Sequence, residues 1–319
     1  MKIHVVVNPT SAAGHTRRKI PQLRQLFEAN GAPFEIHETR HAGHATELAL
    51  HAVQTGAELV VAVGGDGTFS EVVQGLPLGD APSVHRPALG LVPCGTGGDL
   101  RRSLGLSAQL DTAVKSILHG APHVIDVGGV EYTDASGCVR RRRFVNVASL
   151  GVSARVSELV NHRFKWLGGR FAFYGAAVCA TANHTNQQIQ LRMEDHVAYE
   201  GPAYLVAFAN GRYFGGGMQI APRAELGDGN LDCVLMKDFT TFEALGLSRR
   251  IYRGTHLAHA KTQALRGRRF EVQVGRSPKH AWALDLDGEV LRGFGPLRFT
   301  VLPGALVIRG ASPPSQTLT

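Results

Sequence analysis

The chain has 319 residues, a formal net charge of +8 and a pI near 9.6, so an anionic partner is expected. With 44% apolar and 19% charged residues, the composition excludes a disordered or fibrous chain and suffices for two domains with substantial cores. The four cysteines are scattered without a C-x-x-C pair, which argues against a disulfide framework and a zinc site.

Strands and helices alternate through residues 1–127, which predicts a doubly wound α/β domain. The predicted strands cover residues 3–7, 33–39, 58–63 and 89–93. The predicted helices cover residues 18–30, 45–56, 69–76 and 110–120.

Strands dominate residues 128–303, beginning with a hairpin over 128–148 around a Thr-Asp-Ala-Ser-Gly turn. Further strands are predicted at 189–194, 203–210, 230–236, 270–275, 281–288 and 297–302, with helices at 171–182 and 242–257. This pattern predicts a β-rich second domain that includes some helix. Residues 304–319 are predicted to form a frayed C-terminal tail.

The first glycine-rich loop lies in residues 60–71, VVAVGGDGTFSE, between a predicted buried strand and a helix. Gly64, Gly65 and Gly67 leave backbone N–H groups open to a polyphosphate at the positive end of that helix. Thr68 and Glu71 have the spacing of a capping box. Asp66 among these donors favours a phosphate that carries Mg²⁺, whereas the alternative is a tight turn whose Asp only caps.

A second loop of similar design occupies residues 95–98 and leads to Asp99, a predicted helix N-cap. Parallel strands place such loops at one edge of the sheet, so Asp66 and Asp99 are expected to share one Mg²⁺ with the nucleotide. Asn8, after the first strand, is a third candidate at this edge. Neither a Walker lysine loop nor a G-x-G-x-x-G fingerprint is present.

Eight motifs occur in a characteristic order: NPTSAAG, ETRHAGHATELA, VAVGGDGTFSEVV, LVPCGTGGDLRRSLG, IDVG, NGRYFGGGMQIAP, LGDGNLDCVL and LDLDGE. In this order the chain resembles the diacylglycerol kinase catalytic family from residue 5 to about 303. More narrowly, it resembles the soluble bacterial lipid kinases related to sphingosine and ceramide kinases. The resemblance implies a Rossmann-like nucleotide domain and a β-sandwich, with the active site in the cleft between them.

The resemblance also implies roles for individual residues. The expected nucleotide-binding residues are Asn8, Thr39, Gly65, Asp66, Gly67, Thr68, Phe69, Ser70, Glu71 and Thr96. A second, structural Mg²⁺ would be held by the Asp228 side chain and the carbonyls of Glu225 and Asn230, although an Asp-Gly turn explains the same segment. Lys165 would approach the phosphates.

Two interpretations of the role of Glu289 in LDLDGE are open. The residues alone favour a hairpin turn at Asp287 and Gly288 followed by a solvent-facing Glu. The resemblance instead makes Glu289 a catalytic residue, which as general base would accept the proton of a lipid hydroxyl, with Asp66 as the rival base. Asp99 completes the expected catalytic carboxylates.

The positive charge fits an anionic membrane surface better than nucleic acid, for which no recognition motif appears. Arg140–Arg143 is either a membrane-binding patch or a solvated edge strand protected by its charge. Peripheral membrane association and a cytoplasmic location are expected, since no signal peptide opens the chain and the apolar stretch 171–182 is too short to cross a bilayer. A homodimer is left open. His37, His41 and His44 lack a carboxylate pattern and are expected to be surface histidines.

The function predicted by the resemblance is ATP-dependent, Mg²⁺-dependent phosphorylation of a lipid hydroxyl, with diacylglycerol giving phosphatidic acid. The alternatives are an NAD kinase, which also uses a GGDGT loop, and a nucleotide-binding module without turnover. Two positions depart from the family pattern: Gly98 replaces Asn and Ala13 replaces Gly. These two departures indicate a changed substrate preference or reaction rate more than they indicate an inactive enzyme.

Overall fold

The computed structural model describes residues 1–78, 86–95, 97–160, 169–182, 184–275 and 280–311, with only the backbone described at 169–172. The chain forms two compact units. The first comprises Met1–Ile125 and Gly304–Thr319, and the second comprises Asp126–Pro303.

The first unit contains a parallel sheet with helices. Its strands are β1 (Ile3–Val7), β2 (Phe34–Glu38), β3 (Leu59–Gly64) and β4 (Ala88–Pro93). Its helices are α1 (His15–Ala29), α2 (His44–Gln54), α3 (Asp66–Gly75), α4 (Asp99–Ser103) and α5 (Leu110–His119). The strand order β2-β1-β3-β4, all parallel, confirms the predicted doubly wound α/β domain.

The chain returns to this sheet near its C-terminus, so the predicted tail is wrong for residues 304–309. Ile308 and Arg309 pair in parallel with Leu89 and Gly90 of β4. Ile308 is fully buried, and the Arg309 guanidinium donates to the carbonyls of Ile117, Leu118 and Gly120 at the end of α5. Burial of apolar side chains and satisfaction of orphaned helix carbonyls order this segment.

The second unit is β-rich, as predicted. Its strands are β5 (Pro122–Asp134, which begins in the first unit), β6 (Val139–Phe144), β7 (Val147–Gly151), β8 (Gln187–Met193), β9 (His196–Ala203), β10 (Leu205–Ala209), β11 (Leu231–Met236), β12 (Thr262–Gly267), β13 (Arg269–Val274), β14 (Ala281–Leu286) and β15 (Glu289–Arg309, which ends in the first unit). Its helices are α6 (Val152–Leu159), α7 (Gly169–Ala182) and α8 (Thr241–Tyr252). Antiparallel pairs join β12-β11-β10-β7-β14-β15 in that order.

Strand β10 shows how this sheet buries both faces. Val206 and Phe208 pack into one apolar cluster, where the Phe208 ring stacks on Phe299 at a centroid distance of 3.9 Å. Leu205 and Ala207, which alternate with them, pack into a second cluster that includes residues of α6, α7 and α8. Because both faces of β10 are buried, its sequence is a continuous apolar run in which polar and apolar residues do not alternate.

Within the described ranges, α6, β9 and β12 were not predicted from the sequence, because their polar residues mask the periodicity. The helix predicted to reach residue 257 ends at Tyr252, since Gly254 adopts a left-handed conformation with φ 69°. Among helices in the described ranges, none is long and apolar enough to cross a bilayer.

Candidate functional site

The carboxyl ends of the parallel strands bring the predicted loops of the first unit together. Asn8 N donates to the Val63 carbonyl at 2.9 Å, and Cys94 N donates to the Gly64 carbonyl at 2.7 Å. Thr39 N donates to the carbonyl of the last β1 residue at 2.8 Å. The residues directly after β1, β2 and β4 thus continue the sheet ladder by one hydrogen bond each before the chain leaves the sheet at this edge.

The two glycine loops touch through their backbones. A Cβ at Gly95 would lie 2.4 Å from the Gly65 Cα, and a Cβ at Gly65 would lie 3.3 Å from the Gly95 Cα. Only glycine at position 95 permits this approach, because side chains do not tolerate such a contact with backbone. The pair forms a surface of backbone at the start of α3, where helix N–H groups favour anions.

The predicted capping box is wrong. Helix α3 begins at Asp66, and within the described residues its N-cap, Gly65, makes no capping bond from a side chain. Thr68 Oγ1 instead accepts from Asn8 Nδ2 at 3.1 Å, which ties the β1 and β3 loops together. Glu71 Oε2 accepts from Gly43 N at 3.1 Å, at the start of α2. The helix starts three residues earlier than predicted, so both side chains lie inside it and serve neighbouring segments.

Asp66 is the first residue of α3, and its carboxylate contacts the start of α4. Its Oδ2 accepts the N–H of Asp99 at 2.9 Å, so a residue of one loop caps the helix of the next. Burial raises the pKa of Asp66, and backbone N–H groups at residues 98–100 partly offset that rise. The carboxylate is therefore set among the first backbone N–H groups of α4, the helix that follows the second glycine loop.

Asp99 is not the N-cap of α4. Gly98 takes that position with φ 69°, and Asp99 is the first helical residue. The Asp99 carboxylate is buried and accepts from Arg102 Nη1 at 2.9 Å. Asp66 and Asp99 are neighbours, as predicted. The Asp66 carboxylate contacts the backbone N–H of Asp99, whereas the Asp99 side chain forms an ion pair with Arg102.

The remaining predicted nucleotide residues differ in availability. Phe69 is fully buried and its N–H donates to the Gly65 carbonyl, so it supports the loop from inside the core. Ser70 is also buried, whereas Gly67 is exposed. Thr96 and Lys165 lie outside the described residues.

The family departures at positions 13 and 98 share one physical feature. Ala13 has φ 54° and Gly98 has φ 69°, so both occupy the left-handed region. Asn and Gly are the residues that enter this region at least cost, so Gly98 preserves the turn that Asn would form. Ala13 pays a steric penalty there that glycine would avoid.

Glu289 is at the start of β15 in the second unit. Its carboxylate forms an ion pair with Arg142 of β6, with 2.5 Å from Oε2 to Nη2 and 3.3 Å from Oε1 to Nη1. The Glu289 side chain is 52% exposed. It is therefore neither the purely solvated residue of the first reading nor buried, but an accessible carboxylate held in position by a guanidinium.

Two further carboxylates lie near Glu289 in the sequence: Asp287 was predicted only as part of a turn, and no role was predicted for Asp285. Asp287, with φ 50°, accepts the backbone N–H groups of residues 145, 146 and 147. Asp285 is buried, accepts from Ser157 Oγ at 3.0 Å and from Gly288 N at 2.9 Å, and its pKa is raised to about 7 by burial. Asp285 lies on β14, Asp287 lies in the turn and Glu289 begins β15, so the available signal was the concentration of acids in LDLDGE and not strand alternation.

The predicted structural metal site lies before β11. Asp228 Oδ1 accepts from Asn230 N at 2.9 Å, which is the expected Asp-Gly turn. Asp228 Oδ2 is buried without a hydrogen bond from any described residue and lies 3.2 Å from Arg266 Nη1. An under-satisfied carboxylate oxygen is a suitable ligand for an oxygen-liganded cation, and Arg266 is the competing charge. The roles expected of the Glu225 and Asn230 carbonyls remain predictions.

The arginine run is largely neutralised. Arg140 pairs with Asp134 at 2.8 Å and Arg141 with Glu131 at 2.9 Å. Arg142 pairs with Glu289, and burial lowers the pKa of Arg143. The run is thus the charged strand β6, paired with the acids around it, and offers less unpaired positive charge than the sequence indicates.

Comparisons with known proteins agree with this geometry. The diacylglycerol kinase catalytic domain profile matches residues 2–130, and the YegS C-terminal NAD kinase beta sandwich-like domain profile matches residues 146–310. A probable YegS-like lipid kinase of Chromohalobacter salexigens is 32% identical over 235 residues, 71% of each chain. The chain belongs to the diacylglycerol kinase catalytic family.

Further relatives span nearly the whole kinase. The diacylglycerol kinase of Bacillus subtilis is 29% identical over 291 residues, covering 90% of this chain and 89% of that protein. A solved diacylglycerol kinase from Bacillus anthracis shares the fold with a TM-score of 0.67 at 21% identity, covering 98% and 97% of the two chains. The α/β first unit and β-sandwich second unit are those of an ATP-dependent lipid kinase.

Proposed function

We propose that this kinase transfers the γ-phosphate of ATP to the free hydroxyl of diacylglycerol. The observation that carries the proposal is the Asp66 carboxylate, held among helix N–H groups beside the touching backbones of Gly65 and Gly95. Backbone donors suit the phosphates of ATP, and an acid set among them suits the metal that accompanies those phosphates. The acceptor is inferred from relatives named diacylglycerol kinase.

Magnesium would bind on the Asp66 side of the glycine loops. Asp66 is half-buried, so one side of its carboxylate can face a phosphate-bound cation while Oδ2 keeps its bond to Asp99 N. Asp99 acts as a positioning residue, because its side chain is buried against Arg102. The bound ion would neutralise charge that develops on the transferred phosphoryl group.

Glu289 is the better candidate for general base. Its carboxylate is accessible and oriented by Arg142, so it can accept a proton from a lipid hydroxyl. Asp66 is already engaged by the start of α4, which favours the metal role for that residue. A second Mg²⁺ at Asp228, with the carbonyls of Glu225 and Asn230, would brace the loop before β11.

Access to a membrane-embedded acceptor would come through peripheral binding at an anionic cytoplasmic surface. Because Arg140, Arg141 and Arg142 are paired with acids, the attraction is assigned to the net charge of +8 as a whole and not to this run. The binding should therefore weaken smoothly with salt and survive neutralisation of any one of these arginines.

The test is a transfer assay with γ-labelled ATP and Mg²⁺ on mixed micelles of diacylglycerol, beside a parallel reaction with NAD. Labelled phosphatidic acid is expected. Labelled NADP would overturn the lipid acceptor, and no product from a broad lipid panel would favour a binding module without turnover. Asp66→Asn keeps an oxygen for the Asp99 N–H and should reduce transfer by at least about 100-fold through loss of the metal ligand.

Glu289→Gln separates the two candidate bases. We expect kcat to fall on the order of 100-fold with little change in the KM for ATP. Glu131→Gln is the matched control, since Glu131 forms an equivalent ion pair with Arg141 one residue earlier on β6. Equal activity in the two variants would remove Glu289 from the mechanism.

A further inference from the structure

A cluster of side chains to which the proposed phosphoryl transfer assigns no role lies on the paired strands β1 and β2 of the first unit. Residue His4 is in register with Glu35, and Val6 is in register with His37. Registered neighbours and residues two apart share one face of a sheet, so His4, Glu35 and His37 project together. One ligand atom from each lies within 4.8 Å of the other two.

Two ring nitrogens in this cluster are buried without a hydrogen bond from any described residue: His4 Nδ1 and His37 Nε2. His4 is only 1% exposed. Its Nε2 lies 3.4 Å from Thr55 Oγ1, and His37 Nε2 lies 3.5 Å from Glu35 Oε2. A buried ring nitrogen without a hydrogen bond is unfavourable, so a ligand that binds a lone pair on each of the two rings would be stabilising.

The charges around the cluster are compatible with a cation. Burial lowers the pKa of His4, which keeps its ring neutral and able to donate a lone pair. Helix α2 ends beside His4, and a helix C-terminus carries partial negative charge. Lys2, whose Nζ donates to the Thr55 carbonyl, is a positive charge that would oppose cation binding. The centroid of the His51 ring lies 6.4 Å from the ring centroids of both His4 and His37.

We propose that His4, Glu35 and His37 form a binding site for a first-row transition metal ion of the Zn²⁺ type. Two imidazoles and one carboxylate suit Zn²⁺ and its neighbours, whereas Mg²⁺ and Ca²⁺ prefer all-oxygen sets. A tetrahedral ion with bonds of about 2.0–2.1 Å holds its ligand atoms about 3.4 Å apart. Rotation of Glu35 and His37, which are partly exposed, would close the present spacing, and His51 or water completes the set.

From the sequence, His37 was expected to be a surface histidine like His41 and His44. Its carboxylate partner Glu35 is two residues away on the same strand, and its second imidazole comes from a different strand. His41, His44 and Glu47 form another close group, but His44 Nδ1 accepts from Arg40 N at 3.0 Å. That group serves as the natural control.

The test is isothermal titration of the metal-stripped full chain with Zn²⁺, and with Mg²⁺ in parallel. One Zn²⁺ per chain is expected at this site, with affinity reduced at least about 10-fold by His37→Ala and by Glu35→Gln. Both positions are partly exposed, so the variants should fold, which circular dichroism checks. The double variant His41→Ala/His44→Ala should retain the same affinity.

Cobalt supplies a readout independent of affinity. Co²⁺ bound by two imidazoles and a carboxylate in a tetrahedral site gives intense visible absorption, which His37→Ala should abolish. Unchanged Zn²⁺ affinity in both single variants would overturn the proposal. Loss of binding only in the His41→Ala/His44→Ala variant would do the same, since it would place the ion on the exposed histidines.

Discussion

Asp285 offers the sharpest test of how the second unit is stabilised. Its carboxyl is 8% exposed and is bonded to Ser157 Oγ and Gly288 N. Burial raises its pKa from 3.8 to about 7, with the nearby Asp287 charge adding to the rise. Asp285→Asn reproduces the protonated acid, because the amide oxygen can accept from Gly288 N while the amide nitrogen donates to Ser157 Oγ.

The magnitude follows from linkage. The folded chain holds the Asp285 proton up to about pH 7, whereas the unfolded chain releases it near 3.8. This contribution to stability is therefore complete below about pH 4 and is lost as the pH rises through 7. A difference of about 3 pKa units corresponds to about 4 kcal/mol, which is the most that the wild type should lose relative to Asp285→Asn.

The assay is urea unfolding between pH 4 and 8, followed by the fluorescence of Trp282. This residue is 2% exposed on the same strand, β14, and a Trp166→Phe background makes it the sole indole reporter. The variant should match the wild type near pH 4 and be more stable at pH 8. If the unfolding curves of the wild type and Asp285→Asn superimpose at every pH from 4 to 8, ionisation of Asp285 does not destabilise the folded chain, and the argument from burial is refuted.

Three further changes test local geometry. Gly95→Ala places a Cβ 2.4 Å from the Gly65 Cα, so the loops must separate and ATP affinity, measured by calorimetry, should fall at least about 10-fold. Arg142→Ala should free the Glu289 carboxylate and lower kcat on the order of 10-fold, with the KM for ATP nearly unchanged. Ala13→Gly should raise the free energy of unfolding by about 0.5–1 kcal/mol in urea titrations, because φ is 54° there.

Matched controls define what would contradict these expectations. Gly246→Ala adds a Cβ that meets no described atom within 4 Å, so it should leave ATP binding intact. Arg141→Ala breaks the neighbouring pair with Glu131 and should leave kcat near the wild-type value. Ala29→Gly, in the helical region, should lower stability. Equal effects in a variant and its control would refute the geometric explanation concerned.

Much of the fold was determined by the sequence because its signals are local. The strands β1, β3 and β4 are short, largely apolar runs, of which β3 ends at Gly64 and β4 at Pro93, and each was predicted within two residues of its observed bounds. Parallel strands align their carboxyl ends by necessity, so placing Asn8, Gly65 and Gly95 at one edge needed no coordinates. The family and its ATP-dependent chemistry follow from the order of eight motifs.

Tertiary structure alone decided which side chains meet, because such contacts join residues far apart in the chain. The sequence pattern allowed Thr68 and Glu71 to cap their own helix, yet the start of α3 at Asp66 sent them to Asn8 and Gly43. The last strand returned to β4 because buried apolar residues follow Pro303. Arg142, the partner of Glu289, lies on β6, and His4, the second imidazole beside His37, lies on β1. No local pattern in the sequence specifies these contacts between residues of different strands.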